Sequence, residues 1–193
     1  LTDFPSATPS VELAQNVSGR QSNRGMEGLA ITPDGRKLLG IMQSPLLQDG
    51  GLDAAAARVG TNVRIAEIDV ESGAVREFLY PLDKKGNGVS EILAVNDHEL
   101  LVLERDGKPG ADAKEKNIFK IDISAATDIR GVKQLPQTGV PLGVTPVTKS
   151  LFLNLLDPAH GLAGASFPEK IEGLAFGPDL ADGRHLLLVA NDN

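Results

Sequence analysis

The chain has 193 residues, 41% hydrophobic and 23% charged, an ordinary composition for a soluble globular fold with a substantial core. Acidic residues number 26 against 19 basic ones, for a net charge of −7, and no basic stripe is present. That argues against a nucleic-acid partner. Cysteine is absent, which excludes disulfides, thiolate zinc sites and cysteine nucleophiles. No run of about 18 apolar residues is available for a membrane span.

The first residues, Leu1-Thr2-Asp3-Phe4-Pro5, lack an initiator methionine and a signal peptide, as expected of a mature or trimmed product. Within residues 1–24, the stretch 11–17 reads as an outer strand of a preceding unit. Residues 28–32 and 37–43 flank Pro33-Asp34-Gly35 and form a predicted β-hairpin. Residues 63–70 and 74–80 flank Glu71-Ser72-Gly73 and form a second. In Arg64-Ile65-Ala66-Glu67-Ile68-Asp69-Val70 apolar and polar residues tend to alternate, as in a half-buried strand. The loop 44–62 between them includes a predicted helical turn at 54–57.

The plan then repeats. Strands are expected at 92–95, 100–104 and 117–123, with a weak fourth at 132–135. A loop spans 105–116. A longer one spans 138–168 and holds 151–156, a fourth strand or a short helix. A third unit opens at 172 and reaches its second strand at 185–190. Long loops gathered on one face of a β fold commonly carry function.

The repeat is legible in the wording. Met26-Glu27-Gly28-Leu29-Ala30-Ile31-Thr32-Pro33-Asp34-Gly35 returns as Ile171-Glu172-Gly173-Leu174-Ala175-Phe176-Gly177-Pro178-Asp179. A looser copy is Ser90-Glu91-Ile92-Leu93-Ala94. Four-stranded antiparallel units starting near 27, 91 and 172 predict an all-β fold, the β-propeller. A β-sandwich would leave the repeat unexplained. About two and a half to three blades fit into residues 1–193, read as a single segment. The expectation is therefore an incomplete propeller, part of a longer protein or completed by a second polypeptide.

Each unit opens with a glutamate. First strands of blades line the channel, so Glu27, Glu91 and Glu172 are expected to converge at its mouth. Converging carboxylates repel and call for a cation. Calcium takes 6–8 oxygen ligands in loose geometry. Glu104, Asn191 and Asp192, at the ends of second strands, complete the expected metal set. The alternative is that each glutamate is a structural mark of its own sheet.

Three segments carry a resemblance. They are Gly25-Met26-Glu27-Gly28-Leu29-Ala30; Val89-Ser90-Glu91-Ile92-Leu93 with Leu103-Glu104-Arg105-Asp106; and Lys170-Ile171-Glu172-Gly173-Leu174-Ala175 with Ala190-Asn191-Asp192-Asn193. In order and wording they resemble the phytase-like domain described as esterase-like activity of phytase, over roughly residues 22–193. The resemblance implies a β-propeller, an exported (periplasmic or secreted) bacterial protein, and hydrolysis of phosphate or carboxyl esters. More distantly, Glu27, Glu172, Asn191 and Asp192 resemble positions of calcium-dependent gluconolactonase and paraoxonase propellers. There a channel calcium polarises a lactone or ester carbonyl. The acidic multi-calcium signature of alkaline phytases is not found.

Arg105 is the candidate for binding a substrate phosphate bidentately; its structural alternative is a salt bridge with Glu104 or Asp106. His160, in Asp157-Pro158-Ala159-His160-Gly161, is the best-placed catalytic histidine, in a long loop near an acid. His98 and His185 read as surface residues. No Gly-x-Ser-x-Gly elbow, Walker loop or dinucleotide fingerprint occurs. Two functions follow: a calcium-assisted hydrolase of small ester or phosphate substrates, or a non-catalytic propeller that binds a protein or small anion.

Overall fold

A computed structural model describes residues 16–192. The predicted outer strand at 11–17 lies mostly outside the described residues, and 16 and 17 form none. The described residues build ten strands in three antiparallel sheets. The first sheet runs β1 (Met26–Ile31), β2 (Lys37–Met42), β3 (Asn62–Asp69), β4 (Val75–Pro81) in spatial order. The second runs β5 (Gly88–Ala94), β6 (Glu99–Arg105), β7 (Lys116–Asp122), β8 (Thr148–Asn154). The third is the pair β9 (Ile171–Phe176) and β10 (Leu187–Asn191).

Turn chemistry closes the hairpins. At β1–β2, Gly35 takes φ +73°, and Asp34 accepts from the Thr32 hydroxyl at 2.6 Å. At β3–β4, Asp69 accepts from the Ser72 amide and hydroxyl, and Gly73 takes φ +70°. A positive φ is open to glycine without the Cβ clash other residues meet.

The sheets stack face to face, with β1 against β5 and β5 against β9. Leu39, Ile41, Ile65, Phe78 and Tyr80 of the first sheet interlock with Ile92, Leu100, Val102, Phe119 and Ile121 of the second. Burying each large side chain stabilises by roughly 1.5–3 kcal/mol. Leu101, Leu103 and Ile118 on the other face of the second sheet meet Ile171 and Leu174 of the third, with Phe167 alongside.

Two predicted elements are corrected. Residues 54–57 are not helical: Asp53 Oδ1 accepts from the Ala55 and Ala57 amides and closes a turn. Residues 132–135 are not a strand, and the fourth strand of the second sheet is β8. The segment containing 132–135 leaves β7 and reaches back to the first sheet. Ile129 and Leu135 pack on Leu79. The Ile129 amide donates to Glu77 O at 2.8 Å, and the Val147 amide to Leu79 O at 3.0 Å. This excursion covers the β4 edge, whose outward carbonyls would otherwise stay unpaired.

Candidate functional site

The inner strands β1, β5 and β9 are bulged at one shared level. Met26 pairs with Met42 and Gly28 with Ile41, so Glu27 is skipped. Val89 pairs with Glu104 and Glu91 with Leu103, so Ser90 is skipped. Ile171 pairs with Asn191 and Gly173 with Ala190, so Glu172 is skipped. An extra residue in one strand re-aims its side chain. Glu27, Ser90 and Glu172 all line one cavity of about 390 Å³.

This register corrects the expected equivalence of three glutamates. Glu91 is one position further along and corresponds to Gly28 and Gly173. It does not line the cavity. Its Oε1 accepts from the Ile92 amide at 2.9 Å, and the Leu29 backbone contributes a further hydrogen bond. Burial pushes its pKa above the usual carboxylate value, against those two hydrogen bonds. Glu91 therefore ties β5 to β1.

Arg105, the last residue of β6, forms one wall of the cavity. Its Nε donates to Ser90 Oγ at 2.9 Å, its Nη1 to Asp106 O at 3.3 Å, and its Nη2 to Glu172 Oε1 at 2.6 Å. A guanidinium carries five N–H groups, so two have no partner among the described residues. The expected alternative partners are thus corrected: Asp106 contributes only its backbone carbonyl, and the ion pair is with Glu172. Arg24, Arg58 and Lys170 also line the cavity, together with Glu27, Glu169 and Glu172. Four cations and three carboxylates line it, one net positive charge in a chain of net charge −7, so the cavity is locally less hostile to an anion than the rest of the surface.

The cavity wall is braced from behind. Lys116, fully buried, donates to Asp106 O at 3.0 Å and Glu169 O at 2.6 Å. Its Nζ also lies 3.1 Å from Asp106 Oδ1. Burial lowers its pKa, and the Asp106 contacts oppose that shift.

The other expected site residues lie elsewhere. Glu104 points between the first two sheets. Asn191 is exposed at the end of β10, and Asp192 pairs with Lys170 at 3.0 Å. His160 ends an exposed 3-10 turn, Pro158–His160, and does not line the cavity.

A family model named Phytase-like, described as esterase-like activity of phytase, matches residues 3–193. The chain belongs to that family. No curated protein and no solved structure matches it. In this Phytase-like chain, of the six expected calcium donors only Glu27 and Glu172 line the cavity. Glu104 Oε1 accepts from the Asp83 amide and Asn87 Nδ2, while Oε2 accepts from the Tyr80 hydroxyl and Lys149 Nζ. Glu172 already pairs with a guanidinium. No cluster of three or more Asp, Glu or His side chains suited to a metal occurs among the described residues. This donor set does not fit calcium.

Sequence reasoning missed Ser90, Arg24, Arg58 and Lys170 as cavity residues. A signal for Ser90 was present. Aligning Val89 with Met26 and Ile171 keeps the apolar residue at the head of each strand and puts Ser90, not Glu91, in the glutamate's place.

Proposed function

We propose that this chain is the anion-binding part of a hydrolase of phosphate monoesters, working at the cavity around Arg105. The observation that carries the reading is Arg105 itself. It is buried to 9% exposure, fixed on three sides, and retains two N–H groups beside three further cations. A fork of that kind suits the paired oxygens of a phosphate. Glu27 is the proposed base. It is exposed on the cavity and has the freedom to take a proton from an attacking water as the water oxygen bonds to phosphorus. The leaving alcohol takes its proton from solvent.

The sheets are read as propeller blades. The side-by-side inner strands and the shared bulge level support that reading. Export from the cell is proposed from the family resemblance alone. A second reading is a non-catalytic module that binds small anions. It is favoured by Ser90 Oγ being held by Arg105 and by no histidine lining the cavity.

The test is turnover of p-nitrophenyl phosphate and p-nitrophenyl acetate by the full-length protein, with calcium or with chelator. Chelator-insensitive phosphatase activity is expected, reduced about a hundredfold or more by Arg105→Ala and in kcat by Glu27→Gln. Phosphate binding without turnover selects the non-catalytic module. Turnover that vanishes with chelator restores the calcium proposal. Turnover indifferent to Arg105→Ala removes the site.

A further inference from the structure

We propose that Glu172 is an internal competitor for the anion site, holding the Arg105 fork until a phosphate displaces it. The inference rests on Arg105 as the anchor proposed above. The two partners come from different sheets, Arg105 from β6 and Glu172 from the bulge of β9. Their contact, Nη2 to Oε1, is 2.6 Å.

The two sides of this contact differ in freedom. Arg105 is pinned at Nε by buried Ser90 and at Nη1 by the Asp106 carbonyl, so its fork has a fixed direction. Among the described residues Glu172 makes no second hydrogen bond, the Lys170 charge aside, and its side chain is 37% exposed against 10% for Arg105. Ligand entry therefore moves the glutamate and leaves the arginine in place.

A carboxylate offers a guanidinium the same paired-oxygen face that a phosphate does. Glu172 occupies one of the two Nη2 N–H groups, and a phosphate seated beside that carboxylate repels it until it swings away. The entering anion must outbid Glu172. Arg24, Arg58 and Lys170 favour whichever anion carries more charge, and Glu27 and Glu169 offset part of that preference. A doubly charged phosphate gains more from those cations than a singly charged carboxylate. Glu172 thus weakens every anion that needs Arg105 by the same factor, and the preference for the more highly charged one comes from the surrounding cations.

Calorimetric titration of the full-length protein with inorganic phosphate and with acetate tests this. Glu172→Gln is expected to tighten phosphate and acetate binding by a similar factor, roughly three- to tenfold. Glu172→Ala, as a second variant, is expected to do the same. Arg105→Ala is expected to abolish phosphate binding in both backgrounds. Wild-type binding that either Glu172 variant leaves unchanged or weakens overturns the competitor role and leaves the Arg105 anchor standing. Binding by neither wild type nor variants overturns the anchor and the competitor with it.

Discussion

Lys149 Nζ stands 2.7 Å from Glu104 Oε2, on the face of the second sheet that meets the first. The lysine comes from β8 and also donates to Pro81 O at 2.9 Å, at the end of β4. Its ammonium lies 4.4 Å from the centre of the Tyr80 ring and 4.0 Å from that of Phe119. Two rings and three oxygens surround one charge, Asp83 Oδ1 at 3.0 Å being the third, and the Glu104 carboxylate is 1% exposed. A desolvated ammonium over aromatic faces gains a cation–π attraction it would lack in bulk water. Glu104 therefore joins sheets, and its four hydrogen bonds leave it no part in the cavity chemistry.

Removing Glu104 leaves that ammonium with the half-exposed Asp83 as its remaining carboxylate, and strands the Tyr80 hydroxyl and Asn87 amide. Glu104→Ala is expected to cost about 3–5 kcal/mol in urea unfolding. Lys149→Met keeps the bulk and leaves Glu104 with Tyr80, Asn87 and the Asp83 amide, so a loss nearer 1–2 kcal/mol is expected. Calcium is expected to rescue neither. An Ala variant as stable as wild type would show the knot to be ornamental.

Tyr80 is the single tyrosine of the chain, so its titration can be read without assignment. Burial raises its pKa well above the ordinary tyrosine value, and the adjacent Glu104 adds to the shift. The unfolded chain ionises near pH 10, and the folded chain only above it. Unfolding then releases a proton, so stability is whole below pH 10 and falls as pH rises beyond it. The expected ultraviolet titration shows phenolate appearing only together with loss of near-ultraviolet circular dichroism. A phenolate signal near pH 10 in a folded protein would contradict the buried hydrogen bond.

Much of the fold was legible because local chemistry and tertiary packing agree. The hairpins at Pro33-Asp34-Gly35 and Glu71-Ser72-Gly73 follow from turn residues whose backbone freedom the structure uses. Elsewhere the two disagree. Val132 and Leu135 read as a strand, yet they serve as cover for Leu79, a contact nothing nearby in the chain announces. Glu91 reads as the partner of Glu27 by wording, yet a bulge decides the register, and one residue of slip exchanges the two faces of a strand. Arg24 and Arg58 reach the cavity from loops, where no periodicity marks them.

The same excursion that hides Leu135 is held by a buried charge. Arg64 Nε and Nη2 clasp Asp49 at 2.7 and 2.9 Å, Nη1 meets Glu77 at 3.0 Å, and Nη2 also donates to Val132 O. Asp49 in turn accepts from the Leu135 amide at 2.7 Å. Arg64→Ala is expected to cost about 3–5 kcal/mol and to open residues 128–136 to hydrogen exchange. Arg64→Lys cannot reproduce the two-pronged clasp and is expected to recover only part of the loss. Exchange protection that survives Arg64→Ala would mean that Ile129 and Leu135 alone hold the segment.

The two Glu-Gly copies offer the sharpest test of how the sheets stack. Gly28 faces β5, where an added Cβ would stand 2.7 Å from the Ile92 nitrogen, 2.8 Å from Ile41 Cγ2 and 2.9 Å from the Glu91 carbonyl carbon. Two of those three atoms are backbone and cannot swing aside. At Gly173 the nearest atom to an added Cβ is that of Ala190, at 3.4 Å, an ordinary contact. The same motif is thus under a different constraint in each copy, because β5 crosses close over Gly28 and no described strand crosses Gly173. Gly28→Ala is expected to cost about 1–3 kcal/mol by forcing β1 and β5 apart. Gly173→Ala is expected to be neutral or to stabilise by a few tenths of a kcal/mol, since alanine loses less backbone entropy in a strand. Parallel thermal melts of the two variants decide it. Equal tolerance at both sites would mean that β1 and β5 do not approach as closely as the packing requires.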